Sequence, residues 1–104
     1  MLSRTRRRRH IHSLIELQDY FRTLSDAARL DILELLAISS QDLTISDMAR
    51  RLNMSQPLCS WHLRRLVKLG IVRMRRVGRE ARCSLNRARL QEFEQRFSNL
   101  LALH

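Results

Sequence analysis

Between Ser55 and Lys68 the chain reads S-Q-P-L-C-S-W-H-L-R-R-L-V-K. Cys59, Leu63, Leu66 and Val67 recur at three- and four-residue steps, which predicts one buried stripe of a helix. The other face then carries Gln56, Pro57, Ser60, Trp61, Arg64, Arg65 and Lys68. A carboxamide can bond an adenine edge through two hydrogen bonds, a small hydroxyl lets backbone come close, and cations pair with phosphates. Ser55 is suited to cap this helix, and Pro57 is tolerated in its first turn. The chemistry offered is recognition of a nucleic-acid groove.

The remaining elements must position that helix. Apolar residues at Leu14, Leu17, Phe21 and Leu24, widened by Ile11, Ile15 and Tyr20, predict a first helix over residues 11–24. Before it, residues 1–10 form an Arg-rich stretch with little apolar surface, expected to be a flexible arm. Ser25 and Asp26 supply cap chemistry for a second helix from Ala27 to Ile38, whose apolar face is read as Leu30, Leu33, Leu36 and Ala37, broadened by Ile32 and Leu35. After a polar break from Ser39 to Asp42, Thr44 and Asp47 resemble a capping box that opens a short helix through Met48, Ala49 and Leu52. Asn53 and Met54 form the turn into the groove helix, and Gly70 is placed where a helix ends in a left-handed residue. Ile71 to Val77, Gly78-Arg79 and Glu80 to Leu85 carry hairpin signals. Asn86 caps a last helix over residues 87–103 with an apolar seam of Leu90, Phe93, Phe97, Leu100 and Leu101. The order predicts a mainly α fold with a β-hairpin wing: a winged helix-turn-helix with an added helix at each end, in a single domain over residues 11–104.

Twenty Lys and Arg face ten Asp and Glu, a formal charge of +10, and nineteen of the cations are Arg. Their placement decides more than their sum, because twelve cations and one acid, Glu80, lie between Arg50 and Arg89. A polyanionic partner follows, with Arg75, Arg76 and Arg79 of the hairpin adding to the basic face of the groove helix. The terminal helices carry more apolar surface than the small body between them can cover. Pairing Leu14, Leu17, Phe21, Leu90, Phe93, Phe97 and Leu100 across a twofold axis would make a homodimer. Two groove helices about 34 to 36 Å apart then predict a near-palindromic double-stranded DNA site.

Three segments carry a likeness to a known family: L-S-D-A-A-R-L-D-I-L-E-L-L from Leu24, L-N-M-S-Q-P-L-C-S-W-H-L from Leu52 and L-G-I-V-R-M-R-R-V-G-R from Leu69. Over roughly Phe21 to Leu85 the chain resembles the ArsR/SmtB family of bacterial winged-helix repressors. The resemblance implies a homodimer built from the first and last helices, repression by operator binding, and release of DNA on sensing a small signal. It places the base-reading positions at Gln56, Pro57, Ser60 and Trp61. Trp61 departs from the family, where histidine or a small polar residue is usual. Its ring can pack on a thymine methyl or on sugar; if it folds onto the core instead, reading rests on Gln56 and Ser60. The family's metal-sensing cysteines at the third helix correspond to Thr44 and Ser46, and its last-helix ligands to Arg87, Arg89, Gln91 and Gln95. These groups do not hold soft metals, so no metal or cofactor is expected and the effector stays unassigned.

Cys59 and Cys83 are the only thiols; both fall on buried faces and read as core residues, with a redox switch as the sharper alternative. His10 and His12, with His104 of a partner chain, are too few and too loosely held to read as a metal site, and are taken as surface residues. His62 and Ser60 are placed on an exposed helix with no carboxylate to orient the imidazole, so no catalytic pair is read. Two glycines in the whole chain leave no phosphate-cradling loop, and an enzyme has little to stand on. With no apolar run near eighteen residues and no signal-peptide pattern, a cytoplasmic protein without membrane contact is expected. The leading reading is a sequence-specific transcriptional regulator. Its rivals are a basic winged-helix protein that coats DNA or RNA without sequence choice, which has no need of Gln56 and Ser60, and an adaptor anchored through Trp61.

Overall fold

The computed structural model describes the backbone of residues 4–102 and the side chains of residues 14–102. Helices α1 (Arg4–Leu24) and α2 (Ala27–Ile38) precede strand β1 (Leu43–Thr44), helices α3 (Ile45–Arg51) and α4 (Gln56–Leu69), the hairpin β2 (Val72–Val77) and β3 (Glu80–Leu85), and helix α5 (Arg87–Ala102). This is the winged helix-turn-helix that the element order predicts. Helix α1 begins at Arg4 rather than Ile11. Arginine is a good helix former, and neither Gly nor Pro interrupts the stretch, so the helical backbone continues through it. The side chains of His10 and His12, and His104 entirely, lie outside the described residues.

The caps act as their residue types dictate. Asp26 accepts a hydrogen bond from the Ala28 N–H at 2.9 Å, Thr44 from Asp47 at 3.1 Å, Ser55 from Leu58 at 3.2 Å, and Asn86 from Arg89 at 3.2 Å. A hydrogen bond from the Thr44 side chain, assisted by Arg50, holds the Asp47 carboxyl below the usual carboxylate range. Asn53 takes a positive φ of 54° in the turn between α3 and α4, which asparagine tolerates. Gly70 ends α4 at φ 86°, its N–H returning to the Leu66 and Val67 carbonyls.

Core side chains converge from every element: Ile32 and Leu36 of α2, Leu43 of β1, Met48 and Ala49 of α3, Cys59, Leu63 and Leu66 of α4, and Ile71, Val72 and Cys83 at the hairpin. The buried stripe of α2 differs from the one read in the sequence. It runs through Arg29, Ile32 and Leu36, while Leu30 and Ala37 are exposed and Leu33 and Leu35 pack at the margin. With nine apolar residues among the twelve of that helix, periodicity alone did not fix its rotation. The terminal helices also reach into the core. Leu17, Tyr20 and Phe93 are buried within the protomer, and the Tyr20 and Phe93 rings stack with centroids 4.4 Å apart. Glu16 bonds Arg89 at 2.9 Å and Arg96 at 3.2 Å, tying α1 to α5. The Arg89 bond leads in holding the Glu16 carboxyl below its ordinary range.

The sheet has the order β1-β3-β2, all antiparallel. Val77 faces Glu80 across a two-residue loop whose first residue, Gly78, has φ 65°, as a tight hairpin turn requires. Strand β1, absent from the sequence reading, is too short to show any alternation and exists by pairing Leu43 with Cys83 and Thr44 with Arg82. It anchors the base of the wing to the entry of α3.

Candidate nucleic-acid interface

Helix α4 turns Cys59, Leu63 and Leu66 inward and leaves Gln56, Pro57, Trp61, Arg64, Arg65 and Lys68 exposed, with Ser60 half-buried and the Ser55 cap exposed. Gln56, Pro57 and Ser60 form one wall of an open cleft of roughly 750 Å³. The entry of α3, from Thr44 to Asp47, forms its floor, and Arg76, Arg79, Glu80, Ala81 and Arg82 of the wing form the opposite wall. The Gln56 carboxamide, the Ser60 hydroxyl and the guanidinium groups of Arg76, Arg79 and Arg82 thus face one concave space. Base edges and phosphate backbone require that combination side by side.

Strand alternation separates two neighbours that composition lumps together. Leu43 and Met74 each pair with Cys83 on the core side of the sheet, and Arg76, two residues on from Met74, shares that side. Arg75 lies on the opposite face, where its guanidinium bonds Asp42 at 3.2 Å. The structure therefore brings Arg76 and Arg79 to the cleft but not Arg75, and it adds Arg82, the cross-strand partner of Arg75, to the cleft lining. Glu80, the one acid of the basic region, pairs with Arg82 at 3.1 Å.

Trp61 does not fold onto the core. It is 41% exposed, with the Arg65 guanidinium 4.5 Å and the Arg29 guanidinium 5.3 Å from its ring centroid. His62, by contrast, is not on the exposed face where the sequence reading puts it. It is 4% exposed, and its Nδ1 accepts a hydrogen bond from Arg29 Nε at 3.2 Å. A buried guanidinium on α2 was missed because an arginine among apolar residues reads as solvent-facing unless its partner, thirty-three residues away, is known.

Both thiols are fully buried and unpaired. Burial pushes the Cys59 thiol up, and burial, with the neighbouring Cys59 and Asp42, raises Cys83 to about 11. Among the described residues no three His, Cys, Asp or Glu side chains converge as a metal-binding group, and no helix is long and apolar enough to cross a membrane. On α1 and α5, Leu17 and Phe93 are buried and Leu14, Leu90 and Leu100 half-buried. Phe21 and Phe97 stay 44% and 40% exposed, their rings edge to face at 5.0 Å, and Ile15 and Leu101 are exposed as well.

A helix-turn-helix whose second helix offers polar and basic side chains, flanked by a basic hairpin, defines a winged-helix DNA-binding protein. Residues 26–74 match the family described as bacterial regulatory protein, arsR family. The chain is 36% identical over 80 residues to the arsenical resistance operon repressor of Staphylococcus aureus, spanning 77% of this chain and 75% of that protein. It belongs to the ArsR family of DNA-binding transcriptional regulators. Among solved structures it is similar to an ArsR-like transcriptional regulator from Rhodococcus sp. RHA1, with a TM-score of 0.77 and 32% identity, covering 88% of this chain and 84% of that one. The fold also matches a homodimeric winged helix-turn-helix DNA-binding domain from Mycobacterium bovis, at a TM-score of 0.70 and 20% identity over 98% of this chain and 89% of that one.

Proposed function

We propose that the protein is a cytoplasmic, homodimeric, operator-reading repressor that works without the family's usual metal sites. The observation that carries the reading is the shared cleft, in which Gln56 and Ser60 face Arg76 and Arg79. Helix α4 enters the major groove, where Gln56 bonds an adenine edge, Ser60 allows close approach and Trp61 packs on a thymine methyl or sugar. Ser55 and Pro57 set the entry of the helix, and Arg64, Arg65, Lys68, Arg76 and Arg79 neutralise phosphates. Gly78 has open space around it, which leaves the wing tip free to meet the backbone.

Dimerisation through α1 and α5 is supported by the large apolar side chains of Ile15, Phe21, Phe97 and Leu101, which the protomer leaves exposed, and by the contact of Phe21 with Phe97 across the two helices. That the Staphylococcus aureus relative is an operon repressor supports repression rather than activation. At the positions of the family's thiolate pair stand Thr44 and Ser46, so the releasing signal is not a soft metal held there.

The test is equilibrium binding to the DNA upstream of the protein's own gene and to a random duplex of equal length, with excess competitor. A preference of about a thousandfold or more is expected. Gln56→Ala should cost about 1 to 3 kcal/mol at the preferred site and relax one base position. Equal affinity for both duplexes, or a Gln56→Ala loss that is the same on both, would instead fit a non-specific nucleic-acid coat.

A further inference from the structure

Trp61 is the chain's only tryptophan and stands on the DNA face of α4, where a free rotor would read bases poorly. Its surroundings restrict it. The His62 ring meets it edge to face at 5.0 Å and 69°, and the Arg65 guanidinium lies 4.5 Å from its centroid. Behind both rings is Arg29, which is 7% exposed and cannot reach solvent or phosphate as a free cation. Its Nε donates to His62 Nδ1 at 3.2 Å, its Nη1 donates to the Thr23 carbonyl at 3.1 Å, and its guanidinium carbon lies 5.3 Å from the Trp61 centroid. A guanidinium only donates, so His62 Nδ1 must accept and the ring's N–H sits on Nε2. The imidazole plane is thereby fixed, and with it the edge that Trp61 packs against.

We infer that Arg29 is a positioning residue for base readout: through His62 it sets the orientation of the Trp61 ring, and through Thr23 it ties that orientation to the end of α1. The inference rests on the placing of Trp61 against DNA. Its consequence is that discrimination at the bases under Trp61 depends on a side chain that touches no DNA. Lysine cannot replace it, because one ammonium at the end of a flexible stem does not span Thr23 and His62 with a planar fork. Retaining the charge, however, leaves the electrostatics of binding intact.

The experiment uses the full chain as wild type, Arg29→Lys, Trp61→Ala and the double variant. Each is titrated against the preferred duplex, found by selection from a random pool, and against a panel bearing single base changes. Arg29→Lys is expected to cut discrimination about five- to tenfold at the one or two positions that Trp61→Ala also relaxes, a loss of roughly 1 to 1.4 kcal/mol by the conversion of 1.4 kcal/mol per tenfold. In the Trp61→Ala background it should add nothing at those positions. In the free protein, Trp61 fluorescence should become more open to acrylamide quenching with Arg29→Lys. Should that variant fail to fold, His62→Gln keeps an acceptor for Arg29 but removes the ring edge, and should give the same Trp61-dependent loss. A Trp61 effect on discrimination that Arg29→Lys and His62→Gln leave untouched overturns the inference alone. Trp61→Ala leaving every base position unchanged overturns it together with the DNA-facing role of Trp61. Equal weakening on all duplexes in both backgrounds reduces Arg29 to a support of the fold.

Discussion

Arg75 and Arg76 are adjacent and chemically identical, yet the structure predicts that only one of them shapes DNA affinity. Arg76 lines the cleft beside α4, whereas Arg75 is on the far face of the wing, bonded to Asp42 at 3.2 Å. Arg64, Arg65 and Lys68 on α4, with Arg76 and Arg79 on the wing, give five cations per protomer on the proposed face. In the proposed dimer these engage about ten phosphates, and at about 0.9 per phosphate the slope of log affinity against log salt is about −9. Affinity should then fall by roughly five powers of ten between about 50 and 200 mM salt. Arg76→Ala removes two contacts per dimer and should make the slope shallower by about 2. Arg75→Ala should leave it unchanged, since its guanidinium is turned away. The assay is fluorescence anisotropy of a labelled duplex across a series of potassium chloride concentrations. Equal changes in slope for the two variants would refute the assignment of wing faces, and a wild-type slope near zero would refute the phosphate role of the whole surface.

Phe97 lies exposed against Phe21 on the proposed dimer face, so Phe97→Glu should leave a folded monomer that no longer binds a palindromic duplex tightly; a dimer persisting in sedimentation would count against that face. Gly70→Ala forces a Cβ into left-handed backbone at φ 86° and to 3.3 Å from the Arg89 side chain. It should cost about 1 to 2 kcal/mol in denaturant unfolding, whereas no loss would mean that the helix end relaxes freely. With Cys83 raised to about 11 and fully buried, as Cys59 is, iodoacetamide at neutral pH should label neither thiol in the native protein and both after unfolding. Labelling at the rate of a free thiol would show that the hairpin opens.

Much of this fold is written locally. Asp26, Thr44, Ser55 and Asn86 each supply the acceptor that a helix start needs, and Gly70 and Gly78 supply the left-handed conformations at which the chain turns. These are properties of single residues and their immediate neighbours, so they can be recognised before any contact is known. The exposed face of α4 is legible for the same reason. A helix with one apolar stripe has one orientation against a core, and Gln56, Ser60 and Trp61 follow from it.

Where a segment offers more than one solution, sequence falls silent. Helix α2 has apolar residues all round, and its rotation is chosen by where Arg29 finds acceptors, at Thr23 and His62. Strand β1 is two residues long and exists because β3 has a free edge beside it. Which of Arg75 and Arg76 faces α4 depends on the register of the wing against β3, and register is a relation between strands. The amino-acid sequence by itself determined the helices and the hairpin, their caps and turns, and the chemistry carried on α4, because those depend on spacing and local hydrogen bonding. Only the tertiary structure decided which cation is buried, which arginine enters the cleft and how Trp61 is held, because each depends on partners far away along the chain.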